Sequence, residues 1–507
     1  MGAERKDSLQ EIANFGGNQR WYTRCYAPAS EAEVLDILTR HTGVTIRVTG
    51  SGHSWSDIAA NADIALDLSA LNSVTPITTN GMDLVRVGAG CRLQDLLDRL
   101  HAATDRTLPT LGAIKKQTIS GAISTGTHGS GRQSLSHFVA SLRAVVFDPS
   151  TGHPVVREFT EGPELLAARC GLGCVGIILS VDLHTVPKYM VVETIRTYRS
   201  IEDIIAAFTA NPLSNFLLSP YGWIFTMFER KPVEREAPTL GSTLRAWLFR
   251  LFSFIVLDVF FHLFVIASRI AGPRAIKALQ KMVPHTLPKG HLRIDDSEHI
   301  LTSHHYLFRH EEMEIFVSEA DLPRAIRFLR ASIEIFADVD TVCPEEFQAV
   351  LADTGFSEVI AAKRGSYVHH YPLFCRRVPP DETLISMTAS VDEPMYSISI
   401  FTYDRPGRRD AYYAFCSFLA HSLLKLVNAR LHWGKHFPFE HADIARLYPR
   451  LEEFRALCAA HDRNGVLRNG YTARVLNLPP GPSPRWPNSA ALAGQAADLP
   501  YRARTRR

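Results

Sequence analysis

A strand-like run from Val44 to Thr49 breaks into Gly50-Ser51-Gly52 and is followed at once by His53, Ser54, Trp55, Ser56 and Asp57. The two glycines allow backbone conformations closed to other residues. Main-chain N–H groups can therefore converge on a phosphate-bearing ligand, with the His53 ring in reach of it. A second segment, Gln117 to Gly131, is again built largely of Gly, Ser and Thr and is too small in its side chains for ordinary core. Taken singly, each allows a plain reading: a buried, hydrogen-bonded turn histidine at His53, a structural histidine at His128. Taken together, they call for a fold that brings two small-residue loops to one ligand. A single dinucleotide-binding βαβ unit is not that fold, because no G-x-G-x-x-G follows a strand and opens a helix.

The two segments resemble the flavin domain of the vanillyl-alcohol-oxidase (PCMH-type) superfamily and, within it, the sugar-1,4-lactone and alditol oxidases. That resemblance implies FAD, carried covalently by His53 through the 8α-methyl of its ring system, with Gly50, Ser51, Gly52 and Ser54 forming the attachment loop. The second loop would cradle the pyrophosphate and the flavin edge. Gly121, Gly126, Gly129 and Gly131 permit close approach, Thr118, Ser124, Thr125 and Thr127 supply hydroxyls, and His128 stands among them. A second covalent link is not expected, since that loop holds no cysteine. Gly112, in Leu111-Gly112-Ala113, matches a segment beside the reactive flavin face, where a small residue would leave dioxygen a path. Gly173, Gly176, Ile177 and Ile178 match adenine-side contacts, with plain packing as the other reading.

His432-Trp433-Gly434-Lys435 is a third signature. By itself it reads as a Trp anchor beside a solvated lysine. In the resembling oxidases it lies by flavin and substrate, so His432 is expected at the cofactor and Lys435 is expected to offset negative charge formed as hydride moves. Asp462 to Tyr471 looks like the family's closing motif, with Arg463 and Leu467 replacing its Pro and Phe. One departure matters more. The substrate strand normally carries Glu-x-Arg with an aspartate five residues after the arginine. Here Arg376 and Asp381 keep that spacing, but Phe374 stands in place of the carboxylate. Either the substrate is less polar than an aldonolactone, or another group serves, such as Glu314, His369 or His370. Thr402 still matches a substrate-side position.

The chain of 507 residues exceeds what one core fills, so several domains are expected. Ser30-Glu31-Ala32-Glu33 is a capping box opening a helix to about His41, and Leu93, Leu96, Leu97 and Leu100 set a helix over 92–102. Strands are expected at 45–49, 64–68, 84–87, 142–147 and 175–186. Further on, strand 313–317 leads into a helix through Ile333, and strand 396–403 into a helix over 409–426. The fold class is α+β: a two-part FAD-binding domain (10–188), a cap or substrate domain on an antiparallel sheet (189–478) and a flexible tail (479–507). The eight cysteines lack paired metal-site spacing, and no metal is expected. The net charge of +3, with no basic aromatic stripe, argues against nucleic acid.

Residues 247–270 form an unusually apolar stretch, about the 20 residues needed to cross a bilayer. Asp258 near its middle would cost roughly 2.5–3.5 kcal/mol there. On a helix, Arg250, Asp258, His262 and Arg269 share one narrow stripe, which suits a helix lying in the membrane interface; a buried or dimer-interface helix and a true span are the other readings. Animal-type gulonolactone oxidases carry a similar insert. The N-terminus leads into polar residues instead of an apolar signal core, so a membrane-associated, cytoplasmic-side location is expected. The expected activity is oxidation of an alcohol carbon of a sugar-1,4-lactone (the arabinono- or gulono-type) or of a polyol, with dioxygen as acceptor. A same-fold dehydrogenase passing electrons to a quinone or cytochrome is the near rival, and a non-catalytic flavin-binding membrane protein the remote one.

Overall fold

The computed structural model describes residues 9–482 apart from 61, 235–246, most of 249–271, 288–289, 291, 303–308 and 354. The first part of the chain builds two sheets. A small mixed sheet runs Leu9–Ala13, Arg20–Tyr26, Ile64–Leu66, Ile46–Val48, with the last two strands parallel to each other. A five-stranded antiparallel sheet runs Val74–Thr79, Met82–Gly88, Ile177–His184, Val139–Phe147, Pro154–Phe159. Glu31–Arg40 is a helix whose Ser30 cap accepts the Glu33 N–H. The Glu33 carboxylate reaches back to the Ala29 N–H, one residue beyond the expected reciprocal bond to Ser30. Leu93–Ala103 buries the four leucines its period predicted.

Sheet membership changes after Pro187. Met190–Tyr198 joins an eight-stranded sheet in the order Leu292–Asp296, Met190–Tyr198, Ile224–Val233, Asn215–Ser219, Leu373–Val378, Met395–Thr402, Glu311–Ser318, Arg430–Leu431. The helices Leu322–Ala337 and Asp410–Val427 pack on each other and cover one face of it, with Phe336 and Phe415 meeting at 5.1 Å. The opposite face looks toward the two Gly-rich loops. Successive residues of a strand point to opposite faces, so Glu312 and Glu314 line the cavity there while Met313, Ile315 and Val317 face the helices. Both faces are covered, which is why the segment reads as a buried strand yet carries carboxylates. The molecule is thus α+β, with the site between its two sheet systems.

The end of the chain returns to the first part. Leu451–His461 packs on Gly162–Arg169 and on Val139–Phe147, and Gly470–Leu476 on Asp57–Ala59. The closing motif holds that return: Asp462 accepts the Val466 and Leu467 N–H groups, and Asn469 donates to the carbonyls of Asp57, Ile58 and Ala60. The hydrophobic insert 247–270 lies largely outside the described residues. Among the described residues no helix is long and apolar enough to cross a membrane.

Candidate active site

The first loop is clamped from three sides. Gly52 O accepts the Phe15 N–H (2.7 Å), Ser51 Oγ donates to Lys116 O (2.5 Å), and the Trp55 N–H donates to Gly434 O (2.8 Å). Gly52 takes a left-handed φ of +70°, so its missing Cβ is required by the turn. At Gly50 a Cβ would stand 2.4 Å from Thr118 Oγ1, which shows how closely the two loops cross. His53 sits at this crossing, its ring 4.9 Å from that of Phe15. Burial, then the charges of Lys435, Lys116 and Arg92, lower its pKa to about 4, so the ring is neutral at pH 7. Among the described residues its Nδ1 is buried without a hydrogen-bond partner, as is Thr49 Oγ1.

Both loops line one cavity of about 930 Å³, at the large end for small-molecule sites. Of the residues the sequence pointed to, Gly50 to Ser54, Gly112, Thr118, Gly121, Ser124, Thr125, Thr127, His128, Gly176, Ile178, Arg376, His432 and Lys435 line it. Gly126, Gly129 and Thr402 do not. Gly126 has φ +74°, and a Cβ on Gly129 would meet Leu111 O at 2.6 Å, so both glycines serve the loop's own packing. Thr402 follows the cavity-lining Phe401 and points to the other side of the strand, where its hydroxyl bonds Asp404. Asp381 also lies off the cavity, accepting from the hydroxyls of Ser134, Thr383 and Ser386. It ties the loop after Arg376 to the segment that follows the second Gly-rich loop.

Lys435 pairs with Glu312 and stands 4.3 Å over the Trp55 ring. The fully buried Trp433 fixes the quartet, donating to Ile385 O (2.6 Å) and stacking on Phe437. His128, Glu314 and His432 converge in a buried cluster whose nitrogen and oxygen atoms lie within 4.8 Å of one another. That spacing could hold a cation. However, His432 Nδ1 accepts the Gly434 N–H (3.0 Å), so the neutral ring keeps its proton on Nε2, the nitrogen left to ligate. The Arg376 guanidinium carbon stands over the Phe374 ring, 4.5 Å from its centroid. Phe374, Phe401, Tyr371, Tyr403, Phe228 and Leu217 make that part of the wall apolar.

Some contributors escaped the sequence reading. Arg47, in the strand before the first loop, donates to the carbonyls of Ile58, Leu172, Gly173 and Leu467, joining three other segments at the cavity. No local pattern announces it. Glu312 did leave a signal, because Glu311, Glu312 and Glu314 interrupt an otherwise apolar strand.

The donor set fits a long cofactor with a phosphate part and a flat ring: glycine loops, clustered hydroxyls, an unpartnered neutral imidazole and a roomy cavity. Comparison with known proteins agrees. Residues 23–151 match a family described as FAD binding domain, and residues 181–475 one described as D-arabinono-1,4-lactone oxidase. The chain is 38% identical to a long-chain alcohol oxidase of an uncultured marine euryarchaeote, over 94% of this chain and 98% of that protein. It is 23% identical to L-gulonolactone oxidase of Bos taurus (89% and 94%) and 26% to L-gulono-1,4-lactone dehydrogenase of Mycobacterium tuberculosis (89% and 95%). Among solved structures, cholesterol oxidase from B. sterolicum superposes with a TM-score of 0.69 over 94% of this chain and 99% of that one, at 15% identity.

Proposed function

The chain belongs to the FAD-linked sugar-1,4-lactone oxidase family of the vanillyl-alcohol-oxidase superfamily, and from that premise we propose that it oxidises a long-chain alcohol to its carbonyl product, with dioxygen as acceptor. As a member of that family it is an FAD-dependent oxidoreductase; the substrate is the proposed part. The observation that carries the reading is Phe374. Where the lactone and alditol pattern has a carboxylate, this chain puts a ring, covered by Arg376 and continued by Phe401, Tyr371 and Tyr403. A polyhydroxylated lactone would leave hydroxyls unpaired against Phe374 and Phe401, at about 1–3 kcal/mol each. An alkyl chain gains from the same surface. The relative named a long-chain alcohol oxidase supports the same substrate class.

FAD, when bound, accepts the hydride from the alcohol carbon. The protein's own residues do the rest. Lys435 sets positive charge at one end of the cavity, and the aromatic wall fixes the chain and excludes water. His53, neutral and unpartnered at Nδ1, is suited to bond the flavin covalently. The test is anaerobic bleaching of the holoenzyme by straight-chain alcohols from butanol to hexadecanol, beside aldonolactones and polyols. Each methylene buried is worth about 0.8 kcal/mol, so the second-order reduction constant should climb about fourfold per carbon until the cavity is full. Faster bleaching by a lactone or polyol than by decanol would sink the substrate reading.

Membrane association belongs to the same proposal. Leu251, Ile255, Val259 and Leu263, described positions of the apolar insert, are exposed at a spacing of four residues. An apolar stripe of that spacing suits the interface of a bilayer, where long-chain alcohols partition. The full-length protein is expected to float with anionic liposomes in a density gradient, and replacing 247–270 by a short polar linker should abolish flotation while flavin stays bound. Wild-type protein left at the bottom of the gradient would end this reading.

A further inference from the structure

We propose that Glu314 is the proton acceptor of the oxidation, supplying from two strands away the carboxylate absent at Phe374. The inference rests on the substrate being an alcohol. Glu314 lies opposite Ser399, and Ser399 lies opposite Phe374, across adjacent antiparallel strands. Directly paired residues project to the same face, so Glu314 and Phe374 share one row, about 10 Å apart at the backbone. Arg376, two residues along from Phe374, bridges the gap: its guanidinium is 4.0 Å from Glu314 Oε1. The functional group has therefore moved along the row without leaving the cavity it serves.

The surroundings of Glu314 suit that work. It is 1% exposed and lines the cavity, and among the described residues its Oε1 faces His128 Nε2 and the Arg376 guanidinium. A carboxylate oxygen accepts more than one hydrogen bond, so a substrate hydroxyl can join His128 there. His128 Nε2 stands 3.2 Å from that oxygen, and its Nδ1 donates to Gly129 O, a carbonyl that can only accept. Nε2 thus carries a proton toward Glu314 only when the ring is charged. Burial favours the neutral acid, but the charge of a protonated His128 and its hydrogen bond, with smaller contributions from His432 and Lys435, hold Glu314 well below the usual carboxylate range. His432 is kept neutral, at about 3, by its own burial. An ionised carboxylate is a sufficient base here. As the C–H bond breaks and its electron pair leaves with hydrogen as hydride to the oxidised flavin, the hydroxyl oxygen becomes strongly acidic. The O–H proton passes to Glu314, the C=O bond forms, and the carbonyl product remains.

The test uses Glu314→Gln holoenzyme and whichever alcohol reduces the wild type. Anaerobic flavin reduction should slow by about 10²–10⁴. Decanoate, whose binding is read from the flavin absorbance, should bind at least about tenfold more tightly to the variant, because a like charge has been removed. A merely structural role would loosen it. Adding Phe374→Glu to Glu314→Gln should recover part of the reduction rate. Near-wild-type reduction by Glu314→Gln, or decanoate binding that weakens or stays the same, overturns the proposal. Should Glu314→Gln lose its flavin, Glu314→Asp keeps the charge beside His128 and withdraws the oxygen by one methylene; an undiminished rate there overturns it equally. If the wild type answers to a lactone and to no alkanol, the substrate reading fails alone, and the same arms run with that lactone and its aldonate.

Discussion

Lys435→Met slows anaerobic flavin reduction by about 10²–10³, the usual loss when one charge-stabilising contact is removed from a water-poor site. The ammonium stands over Trp55 at the cavity wall and is held there by Glu312, so its position is set before any substrate arrives. Charge that develops only as hydride departs meets a cation that need not reorganise, which lowers the barrier more than it strengthens ground-state binding. The substitution has a second consequence. Glu312 is 5% exposed, and removing its partner leaves a buried charge uncompensated, at about 3–5 kcal/mol of stability. The two effects separate in the double variant Lys435→Met with Glu312→Gln, which should regain much of the melting temperature and none of the rate. Stopped-flow reduction and thermal melts read them independently. A single variant that reduces at the wild-type rate would return Lys435 to the role of a structural ion-pair partner.

His53→Ala should turn a protein whose acid precipitate stays yellow into one that gives all its colour to the supernatant. The imidazole is neutral at any pH well above about 4, chiefly because it is buried and further because Lys435, Lys116 and Arg92 repel a second proton. Its lone pair is therefore available at neutral pH, and among the described residues Nδ1 has no competing hydrogen bond. The variant should still bind FAD before denaturation, because the glycine turns and hydroxyls of both loops do not depend on the ring. Colour that washes out of acid-treated wild type would disprove the covalent link while leaving the FAD site in place.

How far these sites could be read from the chain alone differs residue by residue, and the division follows sequence distance. Glu31–Arg40 and Leu93–Ala103 were legible because helical period and capping are local properties, settled within one or two turns. The Gly50–Ser54 turn and the Gly-rich loop were legible for the same reason: glycine writes its conformational freedom into the position it occupies. His432 to Lys435 could be recognised as a unit, but not what it would touch. Which way a strand residue faces depends on sheet register, so Thr402 could not be told from Phe401, nor Asp381 from a cavity group. Convergence is less local still. His128, Glu314 and His432 come from a loop, a strand and a second loop roughly a hundred or more residues apart, and only the docking of the eight-stranded sheet on the Gly-rich loops brings them together. Arg47 joins Ile58, Leu172, Gly173 and Leu467 for no reason visible near Arg47. The sequence by itself determined the cofactor's cradle and the loss of the carboxylate at Phe374. The tertiary structure decided which other carboxylate faces that gap, because cross-strand pairing places Glu314 on the row of Phe374, and pairing is set by packing across the whole sheet.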